Sequence, residues 1–130
     1  MTLKKIILDT NFLLIPAQFK VDIFSEIRRI CDFTYKILIL DKSIQELEKI
    51  IIKGKGKEKL EAKVTLELIK HKNIEIMKTA GDTYVDDYIV DIAHQGEYIV
   101  ATQDLALIKR LKAYKVKVIM LRQKKYLIFK

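Results

Sequence analysis

The stretch Lys5-Ile6-Ile7-Leu8-Asp9 sets three consecutive aliphatic side chains directly before an aspartate. A run this short and this apolar reads as a strand buried on both faces, the kind that occupies the middle of a parallel sheet. Ile37-Leu38-Ile39-Leu40, followed by Asp41, repeats the arrangement. Ile74-Glu75-Ile76-Met77, Tyr98-Ile99-Val100-Ala101 and Val116-Lys117-Val118-Ile119-Met120-Leu121 supply further strand-like segments. Between them the apolar spacing lengthens to that of helices. Val21, Ile23, Phe24, Ile27 and Ile30 form one such face after a break at Pro16, and Ser43 opens a helix bearing Ile44, Leu47, Ile50 and Ile51. The basic corner Lys53-Gly54-Lys55-Gly56-Lys57 leads to a helix whose face is Leu60, Val64, Leu68 and Ile69. Val85, Ile89, Ile92 and Ala93 mark another, ended by Gly96, and residues 105–111 a last one. Alternation of this kind predicts βα units joined by right-handed crossovers. The expected fold is therefore α/β, a three-layer α/β/α Rossmann-like arrangement around a central parallel sheet, in a single domain over residues 1–130.

Composition narrows the function classes. Half of the residues are hydrophobic and 32% are charged, which fits a packed protein and excludes a disordered chain. No apolar run approaches the roughly 20 residues of a membrane helix, and Asp9 cuts the first apolar stretch short of a signal-peptide core. With Cys31 alone and His71 and His94 far apart, neither a disulfide nor a zinc site is expected, and a reducing cytoplasm is the simplest setting. The net charge of +8 is unevenly spread. Nine of the 25 Lys and Arg, and none of the 17 Asp and Glu, lie between Leu105 and Lys130, leaving residues 1–104 at −1. Such a basic end suits a polyanion, whose condensed counterions are released on binding, or serves only as a solvated face.

In open parallel sheets ligands bind beyond the carboxyl ends of the strands. Asp9, Asp41, Asp82 and Asp104 all fall at or just past strand ends. Each of them also suits the capping of the following helix, so position alone does not separate the two roles. On the helix starting near Val85, Asp86 shares a face with Ile89, Val90 and Ala93 and points to the packed side, whereas Asp87 shares one with Asp91 and His94 and faces solvent. Glu46 stands three residues after Ser43, the capping-box spacing, and periodicity does not choose it over Glu48. Converging carboxylates repel one another unless a cation joins them, and carboxylate oxygens suit Mg²⁺ or Mn²⁺, one ion or two. The matching chemistry is phosphodiester hydrolysis.

Four segments, Ile6-Ile7-Leu8-Asp9-Thr10-Asn11-Phe12, Gln45-Glu46-Leu47-Glu48-Lys49, Tyr84-Val85-Asp86-Asp87-Tyr88-Ile89-Val90 and Tyr98-Ile99-Val100-Ala101-Thr102-Gln103-Asp104, together resemble the PIN-domain nuclease signature in order. Lys115-Val116-Lys117-Val118-Ile119-Met120-Leu121 and the following Lys125-Tyr126 resemble the ending of the branch that holds the eukaryotic small-subunit rRNA-processing PIN nuclease. VapC-type toxins are the second resemblance. What the resemblance implies is an endoribonuclease with Asp9, Glu46, Asp86 and Asp104 as metal ligands and catalytic acids, Asp87 as a further candidate ligand, and Thr10, Asn11 and Thr102 as supporting polar residues. It is the resemblance that selects Glu46.

A recessed acidic site favours single-stranded RNA, which bends where a duplex is stiff. Lys53, Lys55, Lys57, Lys109, Arg110, Lys112 and Arg122 are the expected phosphate contacts, with Tyr126 or Phe129 as stacking surfaces. Leu127-Ile128-Phe129 reads either as a terminal strand on the core or as a surface for a second copy in a homodimer. An antitoxin or a pre-ribosomal assembly is the partner each branch implies. The rival from another class is a catalytically silent RNA-binding assembly module, which a broken acidic set would have marked. An aspartate-nucleophile phosphatase would want an acid two residues after Asp9, where Asn11 stands.

Overall fold

The computed structural model describes residues 3–72, 74–79, 81 and 84–130; the strand-end candidate Asp82 lies outside them. In chain order the elements are β1 (Lys4–Leu8), α1 (Thr10–Leu13), α2 (Ile15–Phe19), α3 (Ile23–Ile30), β2 (Tyr35–Leu40), α4 (Asp41–Lys53), α5 (Gly56–Lys72), β3 (Glu75–Met77), α6 (Val85–Ala93), β4 (Tyr98–Ala101), α7 (Leu105–Ala113), β5 (Lys117–Arg122) and β6 (Tyr126–Phe129). They form one six-stranded sheet in the order β3-β2-β1-β4-β5-β6. β1 pairs in parallel with both β2 and β4, matching Ile7 to Leu38 on one side and to Val100 on the other.

Strand alternation divides the core into two layers. Ile6, Leu8, Ile39, Ile99 and Ala101 point into the layer holding Phe12, Ile23, Ile27, Leu47 and Ile69. Ile7, Leu38, Leu40 and Val100 point to the opposite layer, with Ile89, Val90, Leu107, Ile108 and Leu111. Helices α1 to α5 thus cover one face and α6 and α7 the other, the expected α/β/α sandwich. No helix among the described residues is long and apolar enough to cross a membrane.

Four expectations change. Pro16 begins a helix rather than breaking the chain: it occupies the first turn of α2, where its missing N–H would have no partner anyway. The buried face of α5 is Ala62, Thr65 and Ile69, while Leu60 and Val64 stay exposed. Ala62 and Ile69 join the core layer beneath α1 to α4, and the Thr65 hydroxyl donates to the Glu61 carbonyl oxygen at 2.8 Å. Helix α4 begins at Asp41, two residues before Ser43. The sheet is mostly parallel, because β6 runs antiparallel to β5 at its edge.

That last strand settles the reading of Leu127-Ile128-Phe129 on the core. Leu127 is fully buried, and its two outward backbone groups are both taken by α3. Its N–H donates to Glu26 Oε1 at 3.0 Å and its carbonyl accepts from Arg29 Nη2 at 3.0 Å. Capping an edge strand this way removes a template for strand-to-strand association. Phe129 packs against Phe33, with ring centroids 6.4 Å apart, so it offers no open stacking face there.

Candidate active site

Strand order places the site. From β1 the chain turns into α1 on one face of the sheet, and from the neighbouring β4 it turns into α7 on the other. This divergence opens a crevice at the carboxyl ends of β1 and β4, the topological switch point where doubly wound sheets bind ligands.

Asp9 stands at the mouth of that crevice and is only 7% exposed. Its backbone N–H continues the sheet by donating to the Ala101 carbonyl at 2.9 Å. Both side-chain oxygens are engaged: Oδ1 accepts from the Thr10 N–H at 2.9 Å and Oδ2 from the Thr102 hydroxyl at 2.8 Å. The same Thr102 oxygen accepts the Asp104 N–H at 3.1 Å, so one buried hydroxyl ties the end of β1 to the entrance of α7. Asp104 caps α7, its Oδ1 accepting from the amides of Ala106 and Leu107 at 2.9 and 3.2 Å. Capping and a place at the site coexist in this residue.

A recess of about 290 Å³ is lined by Asp9, Thr10, Asn11, Leu14, Glu46, Val85, Asp86 and Asp104. Four carboxylates from four separate segments therefore face one space. Glu46 is half-buried there, whereas Glu48 is exposed and does not line the recess. The capping-box explanation of Glu46 also falls away. Ser43 lies in the first turn of α4, fully buried, and its Oγ accepts a hydrogen bond from the Thr10 hydroxyl at 2.9 Å instead of capping the helix.

The carboxylates feel one another. Burial pushes the Asp9 carboxyl above its ordinary range; the hydrogen bonds from Thr102 and Thr10 pull it back, and the charges of Asp86 and Asp104 push it up again. Glu46 is raised by burial and then by Asp9, with a smaller push from Asp86. Asp86 is raised by burial and by Asp104, against the pull of Arg110. Each would be relieved by a cation among them. Among the described residues, however, no three acidic, histidine or cysteine side chains stand close enough together to hold a metal ion as they are.

The other candidates divide. Asn11 is exposed, and its Oδ1 accepts the Gln103 N–H at 3.4 Å. Asp87 is half exposed, as its helix face implies, and pairs with Arg110 on α7 at 2.8 Å. Arg110 lines a second recess, of about 450 Å³, together with Glu46, Tyr84, Val85, Asp86 and Asp87. The two recesses share Glu46, Val85 and Asp86, and so adjoin. Lys53, Lys55, Lys57, Lys109, Lys112 and Arg122 line neither of them. Lys112 is occupied by the backbone oxygen of Lys130, 2.6 Å away.

Ser43 and Gln103 escaped the sequence reading as site-supporting residues. Gln103 Oε1 accepts the Leu121 N–H at 2.6 Å, fastening the segment after β4 to β5. The spacing of Ser43 four residues before Leu47, a buried position, is the signal that would have placed it inward rather than at a helix start.

Known proteins carry the same pattern. Residues 6–124 match the family described as PIN like domain. Over 125 residues the chain is 38% identical to Ribonuclease VapC4 of Methanocaldococcus jannaschii, covering 94% of this chain and 93% of that protein. Over 107 residues it is 28% identical to Ribonuclease VapC9 of Archaeoglobus fulgidus, covering 82% and 74%. Among solved structures it is similar to the PIN domain endonuclease Utp24, with a TM-score of 0.79 and 26% identity over 97% of this chain and 90% of that one. A domain of a functionally unknown protein from Methanocaldococcus jannaschii shares the fold at a TM-score of 0.58 and 21% identity, covering 92% of this chain and 91% of that one. Matched along nearly its whole length by the family and along both chains by a relative at 38% identity, this chain belongs to the PIN-like domain family.

Proposed function

We propose that this protein is a divalent-metal-dependent endoribonuclease that hydrolyses phosphodiester bonds of single-stranded RNA. The observation that carries the reading is the convergence of Asp9, Glu46, Asp86 and Asp104 on one recess at the switch point of a PIN fold. An all-carboxylate donor set suits Mg²⁺ or Mn²⁺, and Mg²⁺ keeps several of its waters, which matches acids that are gathered without closing into a cage. When bound, one or two such ions supply Lewis-acid stabilisation of the phosphate and activate water for attack. Asp9 is the central ligand, oriented through Thr10 and Thr102. Glu46, Asp86 and Asp104 complete the negative site, while Asp87, paired with Arg110 at 2.8 Å, lines only the adjoining recess.

Ribonuclease VapC4 and Ribonuclease VapC9 support RNA as the substrate, and with it a toxin role with an antitoxin partner; likeness to the Utp24 endonuclease supports rRNA processing. A short antitoxin-like reading frame beside the gene would favour the toxin role, and its absence the processing role.

Cleavage of single-stranded RNA should require Mn²⁺ or Mg²⁺ and stop with EDTA. Glu46→Gln should slow it by about 10- to 100-fold, whereas Glu48→Gln, on the exposed side of α4, should leave it unchanged. Cleavage that ignores EDTA, or equal loss in both variants, would sink this assignment. For phosphate contacts the candidates are Arg110 on α7, which lines the adjoining recess, its neighbour Lys109, and Arg122 at the carboxyl end of β5. Replacing all three with Ala should weaken RNA binding and shallow the slope of log K against log salt by about two, at roughly 0.7 per single-strand phosphate contact. An unchanged slope would rule these cations out.

A further inference from the structure

Tyr84 immediately precedes α6 with an extended backbone, φ −62° and ψ 143°, and is 82% exposed, more than any other large hydrophobic side chain among the described residues. A ring held in water gives up the gain of burial, so its placement invites a partner. It does not stand just anywhere. Tyr84 lines the recess that adjoins the acidic one through Glu46, Val85 and Asp86. On the same recess Arg110 is held by Asp87 at 2.8 Å, with both side chains about half exposed at 46% and 48%. An ion pair this open is weak and readily exchanges its carboxylate for a phosphate, which a guanidinium binds in a fork. Of the other aromatic side chains, Tyr114 is exposed too but is already stacked on His94, with ring centroids 4.7 Å apart.

Given the ribonuclease reading on which this rests, we propose that Tyr84 is a base-stacking residue that positions the nucleotide beside the scissile phosphate, while Arg110 leaves Asp87 to take that nucleotide's other phosphate. Stacking on a single ring tolerates any base, because every base has a π-face. The geometry thus sets where the strand lies across the acids and leaves its sequence open.

The test uses single-stranded RNA oligomers that carry one abasic nucleotide at successive positions around the cut, with kcat and KM measured for the intact protein, Tyr84→Phe and Tyr84→Ala. Stacking on this residue predicts that the intact protein loses about tenfold in kcat/KM, mainly through KM, when the nucleotide next to the cut lacks its base. Tyr84→Ala should show the same loss on ordinary RNA and no further loss on the abasic oligomer, and Tyr84→Phe, which keeps the ring, should behave like the intact protein. Additive losses from Tyr84→Ala and the abasic substitution, or a Tyr84→Ala variant that cuts ordinary RNA normally, would overturn the proposal and leave the ribonuclease reading standing. Failure of the intact protein to cut any of the oligomers would overturn both.

Discussion

Asp9→Asn should reduce RNA cleavage by about a thousandfold or more, because it takes the most central negative charge from the site at which metal would bind. The same substitution should make the metal-free protein more stable at neutral pH. Burial and the charges of Asp86 and Asp104 raise the Asp9 pKa in the fold above its unfolded value. Between the two values the native state holds more proton than the unfolded chain, so stability falls as pH rises from the unfolded pKa through the folded one. Above that window the buried charge is a standing cost. Asparagine has nearly the same shape, still accepts from the Thr10 N–H, and carries no charge. Thermal melts in EDTA should therefore place Asp9→Asn above the unsubstituted protein at pH 7, with the gap closing below about pH 4. Adding Mn²⁺ should reverse the order, since only the intact site gains stability by binding. A variant that cuts RNA normally would show that Asp9 is a structural cap alone, and one that melts lower in EDTA would show that the hydrogen bonds of the carboxylate outweigh the cost of its buried charge.

Thr102→Val should have the second largest effect, acting on both stability and rate. The Thr102 side chain is fully enclosed, and its hydroxyl serves Asp9 Oδ2 and the Asp104 N–H at once. Valine fills the space but leaves two polar groups without partners, at about 2–4 kcal/mol. Cleavage should drop by about 10- to 100-fold, as when the groups that orient metal ligands are removed. Losing the hydroxyl also removes the largest influence holding the Asp9 pKa down, so it should rise further. Metal affinity should then fall most steeply on the acid side, shifting the rising limb of the pH–rate profile to higher pH. Thr102→Ser restores the hydroxyl and should recover most of the rate. If serine is as poor as valine, the hydroxyl is not the operative group.

Much of the sandwich could be read before any fold was known. The runs ending at Leu8, Leu40 and Ala101 are apolar on both faces, which only a covered parallel strand tolerates, and the helical intervals between them force crossovers. From that frame alone Asp9 and Asp104 fell at the active edge. The face shared by Asp86 with Ile89, Val90 and Ala93 is a property of the helix itself, and those three residues are indeed buried. What went astray depended on neighbours. The large apolar residues of α5 suggested a face through Leu60 and Val64, but the side that the fold covers carries Ala62, Thr65 and Ile69. Ser43 suited a helix start by its chemistry, yet Asp41 already opens α4, and Thr10, 33 residues away, claims the Ser43 hydroxyl. The half-exposed pairing of Asp87 with Arg110 likewise joins α6 to α7, a partner that spacing within α6 does not show.

The sequence by itself thus determined most of the elements and their layering and nominated three of the four acids, because hydrophobic period and strand ends are local properties that burial must respect. Only the tertiary structure put Glu46, which the resemblance had selected, on the recess, and only it showed Ser43 as a buried partner of Thr10, β6 as an antiparallel edge, and Tyr84 as the open ring beside the acids. Each of these turns on which side of an element another element covers, and that is settled by packing between segments far apart in the chain rather than by spacing within one.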